Sequence, residues 1–177
     1  MTEWVALLRG VNVGGITVRS AELSDVFTDL GFAAVRTVLA SGNVVFETDA
    51  AASRRAELKA TIESALRQRF GYDAWIVIVT LAELRTAADG FPFDAEDASR
   101  QPWVIFCVDA ATRDELLSAA RDLDAGTDPV APGEGVVYWN PVKGTTTDSP
   151  FAKIIARATY KARTTNRNLR TLRRILG

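Results

Sequence analysis

The chain has 177 residues, 47% of them hydrophobic, enough to bury a core as one domain or as two small ones. It has no histidine and a single cysteine, which removes Ser-His and Cys-His nucleophile pairs, the commonest transition-metal ligand and any internal disulfide framework. The formal charge of −1 hides two electrostatic ends: the last twenty-nine residues carry eight Lys and Arg and no acid, leaving a formal −9 on residues 1–148.

Trp4–Arg9 is an apolar run ending at Gly10, and Val11–Arg19 has glycines without a helical period, so the chain reads as strand and then loop. Leu23, Val26, Phe27 and Leu30 follow the i, i+3, i+4, i+7 stripe of a helix that starts near Ser20 and stops at Gly31. Val35–Ala40 and Val44–Thr48 are β-rich and are separated by Ser41-Gly42-Asn43, which is hairpin chemistry. Leu58, Ile62, Ala65, Leu66 and Phe70 mark a second helix ended by Gly71, and Trp75–Thr80 is a fourth strand. The order is the βαββαβ of a ferredoxin-like plait.

In the second half, a helix is predicted over Leu81–Ala88 and a strand over Trp103–Val108. Thr112 and Glu115 form a capping box for a helix running to about Leu123. Asp124–Gly135 reads as loop and Val136–Asn140 as strand. Ser149 caps a helix beginning at Pro150, with Phe151, Ile154, Ile155 and Ala158 as its apolar stripe. A last helix from about Asn166 turns Leu169, Leu172 and Leu176 inward. The expected architecture is α/β (α+β), two ferredoxin-like plait units packed into one compact body, with a first unit over 1–80 and a second, carrying the basic helices, over 81–177. Trp4–Leu8, Trp75–Val79 and Trp103–Val108 are continuously apolar, the pattern of strands buried on both faces.

Cys107 lies inside such a run and reads as a buried thiol. No apolar stretch approaches the roughly 20 residues needed to cross a bilayer, and no secretory leader is apparent after Met1, so a cytoplasmic protein without membrane partners is expected. Asp122, Asp124, Asp128 and Glu134 crowd one loop, but an EF-hand frame puts Thr127 and Gly133 where its glycine and bidentate glutamate belong. No catalytic residue, cofactor or metal ligand is assigned.

Three features bear on binding. Gly10, Gly15 and Thr17 have P-loop spacing, but Ile16 stands in place of the lysine, which argues against nucleotide hydrolysis. Ser41-Gly42-Asn43 opens the third strand, where RNA-recognition domains carry stacking aromatics; Asn43 and Val45 cannot stack a base. In the βαββαβ topology both loops lie at one end of the sheet, so Arg9, Asn12, Gly14 and Gly15 are expected beside Ser41 and Asn43 as a small anion pocket. At the basic end, Lys153, Arg157 and Lys161 recur at i, i+4, i+8, and Arg167, Arg170 and Arg174 face away from the leucines of the last helix. Thr165, Arg167 and Asn168 stand at its start. These cations serve either an anion or the acidic part of the chain itself.

The segments LRGVNVGG, AELSDVFTDLGF, VRTVLASGNVVF and TTNRNLRTLRRI resemble, in order and over nearly the whole chain, the bacterial family called domain of unknown function family 1697. The resemblance implies two ferredoxin-like plait units and supplies no activity. Relatives often have a lysine after the Gly-Gly pair, where this chain has Ile16-Thr17, and an aromatic where it has Leu169. The expected function is recognition of a phosphate-containing ligand, a nucleotide or nucleic acid. The alternatives are an enzyme working without His or metal, and a structural or adaptor protein whose oligomeric state the sequence leaves open.

Overall fold

A computed structural model describes residues 1–11 and 15–177. The chain divides into two compact units, Met1–Leu84 with Arg174–Gly177, and Arg85–Arg173.

The first unit runs β1 (Thr2–Leu8), α1 (Ser20–Asp29), β2 (Ala33–Thr37), β3 (Asn43–Thr48), α2 (Arg55–Phe70) and β4 (Ile76–Thr80). The strands form one antiparallel sheet in the order β2-β3-β1-β4, the ferredoxin-like plait expected from the sequence. Strand alternation sends Trp4, Ala6, Leu8, Val44, Phe46, Ile76 and Ile78 to the face where Leu23, Val26, Phe27, Leu58, Ile62 and Leu66 of the two helices pack. Phe46 anchors this layer, with ring centroids 5.2 Å from Phe27 and 4.6 Å from Phe32. The other face, with Val5, Leu7, Asn43, Val45, Val77 and Val79, is buried as well, as the continuous apolar runs required. Gly31 ends α1 at φ +82°, its amide donating to the Thr28 carbonyl while Phe32 N donates to Phe27 O. This is the left-handed stop that a residue without Cβ supplies at little cost.

The helix α3 (Leu81–Asp89) follows β4 directly. Its first turn is held by a reciprocal box in which Glu83 N donates to Thr80 Oγ1 and Thr80 N donates to Glu83 Oε2.

The second unit repeats the topology with β5 (Trp103–Cys107), α4 (Ala110–Ala119), β6 (Val130–Pro132), β7 (Val136–Trp139), α5 (Pro150–Ile155), α6 (Ala158–Lys161) and β8 (Thr164–Asn168). Its sheet order is β6-β7-β5-β8, the same plait order. Ile105, Cys107, Val137 and Trp139 face Leu116, Phe151, Ile154 and Ile155 in its core. α7 (Leu169–Leu176) follows β8 as α3 follows β4.

Four local readings are corrected. β6 lies inside the segment read as loop: three residues suffice because β7 supplies the ladder, Val130 pairing with Trp139. The N-cap of α4 is Asp109, whose carboxylate accepts from Thr112 N and Oγ1, because the chain turns helical two residues before the Thr112–Glu115 box. The stretch after Ser149 breaks at Ala156, and Arg157 has an extended backbone, so Lys153, Arg157 and Lys161 do not share one helix. Residues 164–168 are strand, because their backbone completes the ladder with β5, and α7 therefore begins at Leu169. Leu169, Leu172 and Ile175 are its buried residues, while Leu176 is half-buried.

Candidate functional site

Leu7 pairs with Asn43 between β1 and β3, and the register continues past the strand ends: Leu8 N donates to the Gly42 carbonyl at 2.9 Å, which sets Arg9 against Ser41. On the other side Arg9 N donates to the Trp75 carbonyl at 2.8 Å. Arg9 is thus fixed through its backbone between two flanking segments. Alternation along β1 and β3 puts Leu7 and Asn43 on the sheet face turned away from α1 and α2. The Arg9 side chain is half-buried, and burial pushes its guanidinium below the usual arginine value. A cation partly stripped of water in this way interacts more strongly with an anion than one on a solvated surface.

The turn beside it is tightly specified. Val38 N donates to Asn43 O, and Asn43 Nδ2 donates to both Val38 O and Ser41 Oγ at 2.8 Å. Both hydrogens of that amide are therefore used within the hairpin, so a first role of the fully buried Asn43 is to fix the loop Leu39–Gly42. Gly42 has φ +73°, and a Cβ there would lie 2.5 Å from Val11 Cγ2 and 2.9 Å from Leu8 Cβ. The glycine is what allows the hairpin to lie against the segment leaving β1. Gly10 and Gly15 also have positive φ, at +78° and +82°, in open surroundings. Asn12 and Gly14, assigned to the same pocket from the sequence, lie outside the described residues.

The loop also holds a residue that no motif in the sequence marks. Leu39 has φ +59°, and its side chain is 46% exposed. No local pattern signals a leucine in the left-handed region, because that conformation is set by the clasp between Val38 and Asn43.

In the second unit, Thr165 and Arg167 face the same side of β8, Arg167 paired with Val104 and Thr165 with Phe106. This too is the sheet face turned away from the unit's core, which holds Ile105 and Cys107. Arg167 is not the solvated helical cation expected from the sequence. It is 7% exposed, it donates through Nη1 to Thr165 Oγ1 at 2.8 Å and to Asn166 O at 2.9 Å, and burial lowers its pKa to about 10. Asn168 Oδ1 accepts from Arg170 N, which starts α7. Lys153, Arg157, Lys161, Arg170 and Arg174 are exposed.

Two other cations of the basic end meet acids of the same unit. Arg163 donates to Glu115 Oε2 at 2.8 Å and to Thr112 Oγ1 at 3.1 Å, and Arg173 reaches Glu96 at 3.2 Å. The hydrogen bond and charge of Glu115 raise the Arg163 pKa, while those of Arg163 hold Glu115 below its usual value.

Among the described residues there is no group of three or more His, Cys, Asp or Glu that could hold a metal ion. The crowded acidic loop resolves into separate roles. Asp124 binds Gly126 N and Thr127 Oγ1 within its own turn, and the buried Asp128 accepts from Trp139 Nε1 at 2.8 Å and Phe151 N at 3.1 Å. The Cys107 thiol, pushed up to about 12 mainly by burial, is a packing group and not a nucleophile. No helix among the described residues is long and apolar enough to cross a membrane.

Comparison with known proteins adds fold and family. A solved structure of a conserved bacterial protein from Streptococcus pneumoniae superposes with a TM-score of 0.80 at 20% identity, covering 98% of this chain and 96% of that one. At that identity the likeness speaks for the fold alone. No curated protein matches the chain. The sequence profile of a family described as protein of unknown function, DUF1697, matches residues 1–138, which bears out the resemblance of the LRGVNVGG and SGNVVF segments, and the chain belongs to that family.

Proposed function

We propose that the chain binds a phosphate group at the end of the first sheet where Arg9 meets the Leu39–Gly42 turn. The observation that carries this reading is that the backbone of half-buried Arg9 lies in register beside a glycine-containing turn fixed by Asn43. A guanidinium presents planar paired donors to phosphate oxygens, and positive-φ glycines turn backbone N–H groups toward an anion. Ser41 adds a hydroxyl at the turn's exposed edge. Lys153, Arg157, Thr165, Arg167 and Asn168 belong to the other unit, and the proposal does not depend on them.

The test is thermal melting with and without inorganic phosphate, for wild type and Arg9→Gln. Wild type gains a concentration-dependent rise in Tm, as any ligand of the native state produces. Arg9→Gln loses that gain while its ligand-free Tm stays within a few degrees. A wild type indifferent to phosphate and to nucleotides overturns the reading. The nucleic-acid version is separated by oligonucleotide titration, because affinity carried by the basic end falls with salt with a log–log slope of about −0.7 to −0.9 per phosphate contact.

A second reading, favoured by the Arg163–Glu115 and Arg173–Glu96 pairs, is that the basic end serves folding. Exposed pairs of this kind are screened by water and contribute little to stability. They neutralise part of the basic run without requiring any ligand.

A further inference from the structure

At the other end of β3 from the Ser41-Gly42-Asn43 turn, the first unit has a cavity of about 180 Å³ that opens to solvent. Leu30, Phe32, Ala50 and Leu58 form its apolar walls, and Arg54 and Glu57, exposed at the start of α2, line its mouth. Phe32 is a fixed wall, because its ring packs on Phe46 and Phe27 with centroids 4.6 and 6.1 Å away. The space is left open at Ala50, where the chain passes from β3 toward α2 and a methyl group stands in place of a longer side chain. An apolar cavity of about 150 Å³ admits benzene, so this one has room for a single six-membered ring.

The polar groups of the lining divide into two kinds. The hydroxyls are committed to backbone: Thr48 Oγ1 accepts from Ala50 N at 3.4 Å, and Thr61 Oγ1 donates to Glu57 O at 3.0 Å. Arg54 donates to Glu57 through Nε at 2.9 Å and Nη2 at 2.5 Å, which leaves the hydrogens of Nη1 and a second lone pair on each Glu57 oxygen available. Their hydrogen bond holds Glu57 below its usual value, so it is an anion at neutral pH. The mouth therefore offers one cation and one anion side by side above an apolar floor.

We propose that this cavity binds a free α-amino acid with an apolar ring, such as L-phenylalanine, its ring against Phe32 and Leu58, its carboxylate on Arg54 and its ammonium on Glu57. Charge complementarity selects the zwitterion. A simple carboxylate that reaches Arg54 is repelled by Glu57, and a simple amine that reaches Glu57 is repelled by Arg54. Within a peptide the two charges no longer sit on one carbon. The assignment is independent of the phosphate reading at Arg9.

The experiment titrates the full chain with L-phenylalanine, phenylacetate and phenethylamine, read by two-dimensional NMR of the backbone amides. L-phenylalanine gives saturable shifts centred on residues 30–32 and 48–61. Phenylacetate and phenethylamine bind at least about tenfold more weakly, because each lacks one charge-assisted hydrogen bond. Glu57→Gln removes the preference for L-phenylalanine over phenylacetate, a readout that a merely structural ion pair would not move. Ala50→Leu fills the cavity and weakens L-phenylalanine at least about tenfold. Arg54→Gln, at an exposed position, removes the preference over phenethylamine and repeats the test should Ala50→Leu fold poorly.

Absence of saturable shifts with L-phenylalanine near its solubility limit overturns the proposal. So do shifts centred outside those residues, binding unchanged in the folded variants, or either single-charge probe binding as tightly as the zwitterion. None of these outcomes bears on the phosphate site.

Discussion

Gly42→Ala tests the close approach on which the site geometry depends. The substitution has two costs. At φ +73° any Cβ pays a left-handed penalty of roughly 1–2 kcal/mol. The new methyl would also stand 2.5 Å from Val11 Cγ2 and 2.9 Å from Leu8 Cβ, and relieving such overpacking costs roughly 1–3 kcal/mol. Lower entropy of the unfolded chain offsets about 0.4–1 kcal/mol of this. The net destabilisation is about 3 kcal/mol, or a fall in Tm of roughly 6–12 °C for a chain of this size. Gly31→Ala is the control, because Gly31 has a similar φ of +82° but a methyl added there would meet nothing within 4 Å. It carries the conformational cost alone, about 1 kcal/mol after the same entropic offset. The assay is urea unfolding of wild type and both variants, followed by tryptophan fluorescence and far-UV circular dichroism, since two units need not unfold together. If Gly42→Ala is no more destabilising than Gly31→Ala, the hairpin does not press on the strand end, and the convergence of the two loops is refuted.

Three further outcomes follow from the second unit. Asp128→Asn keeps the shape but turns an amide donor toward Trp139 Nε1 or Phe151 N, so it destabilises by about 2–3 kcal/mol in urea unfolding. Cys107, with its thiol pushed up to about 12, resists a thiol-specific reagent at about pH 8 in the native protein and reacts fully once unfolded; fast native labelling would show that the strand thiol is accessible. Asp109 is held below its usual range by its hydrogen bonds from Thr112 Oγ1 and then Thr112 N. A lowered folded pKa gives stability that is present above the unfolded aspartate value of about 4 and is lost as pH falls through the folded value. Asp109→Asn, which can still cap α4, therefore changes neutral-pH stability little but flattens the loss of stability between about pH 5 and about pH 2, read from urea midpoints across that range.

The first plait was legible because its signals are local. The stripe Leu23-Val26-Phe27, the left-handed stops at Gly31 and Gly71 and the turn at Ser41-Gly42-Asn43 each decide their own neighbourhood. The second plait hid its two edge strands, whose identity depends on partners distant in the chain. Val130-Ala-Pro132 is too short to show alternation, and Pro132 reads as loop until β7 is placed beside it. Thr164–Asn168 is polar throughout and looks like a helix cap, yet its backbone completes the ladder on β5 and carries Arg167 into a buried position. The break between α5 and α6 at Ala156 has no Gly or Pro to announce it, and nothing in those residues explains it. Of the candidate site, the backbone register that sets the end of β1 beside the Ser41-Gly42-Asn43 turn followed from topology alone. The double use of the Asn43 amide and the strained Leu39 did not, because both are set by hydrogen bonds across the hairpin.

The central claim is that Arg9 and the Leu39–Gly42 turn form a phosphate site. Isothermal titration of inorganic phosphate into wild type, Arg9→Gln and Arg170→Gln tests it most directly. Arg170 is an exposed cation of the basic end and serves as the charge-matched control. Saturable binding by wild type and Arg170→Gln, reduced at least about tenfold in Arg9→Gln, a loss of roughly 1.4 kcal/mol, is the predicted result. Equal binding by all three proteins, or loss in Arg170→Gln with Arg9→Gln unaffected, would contradict it.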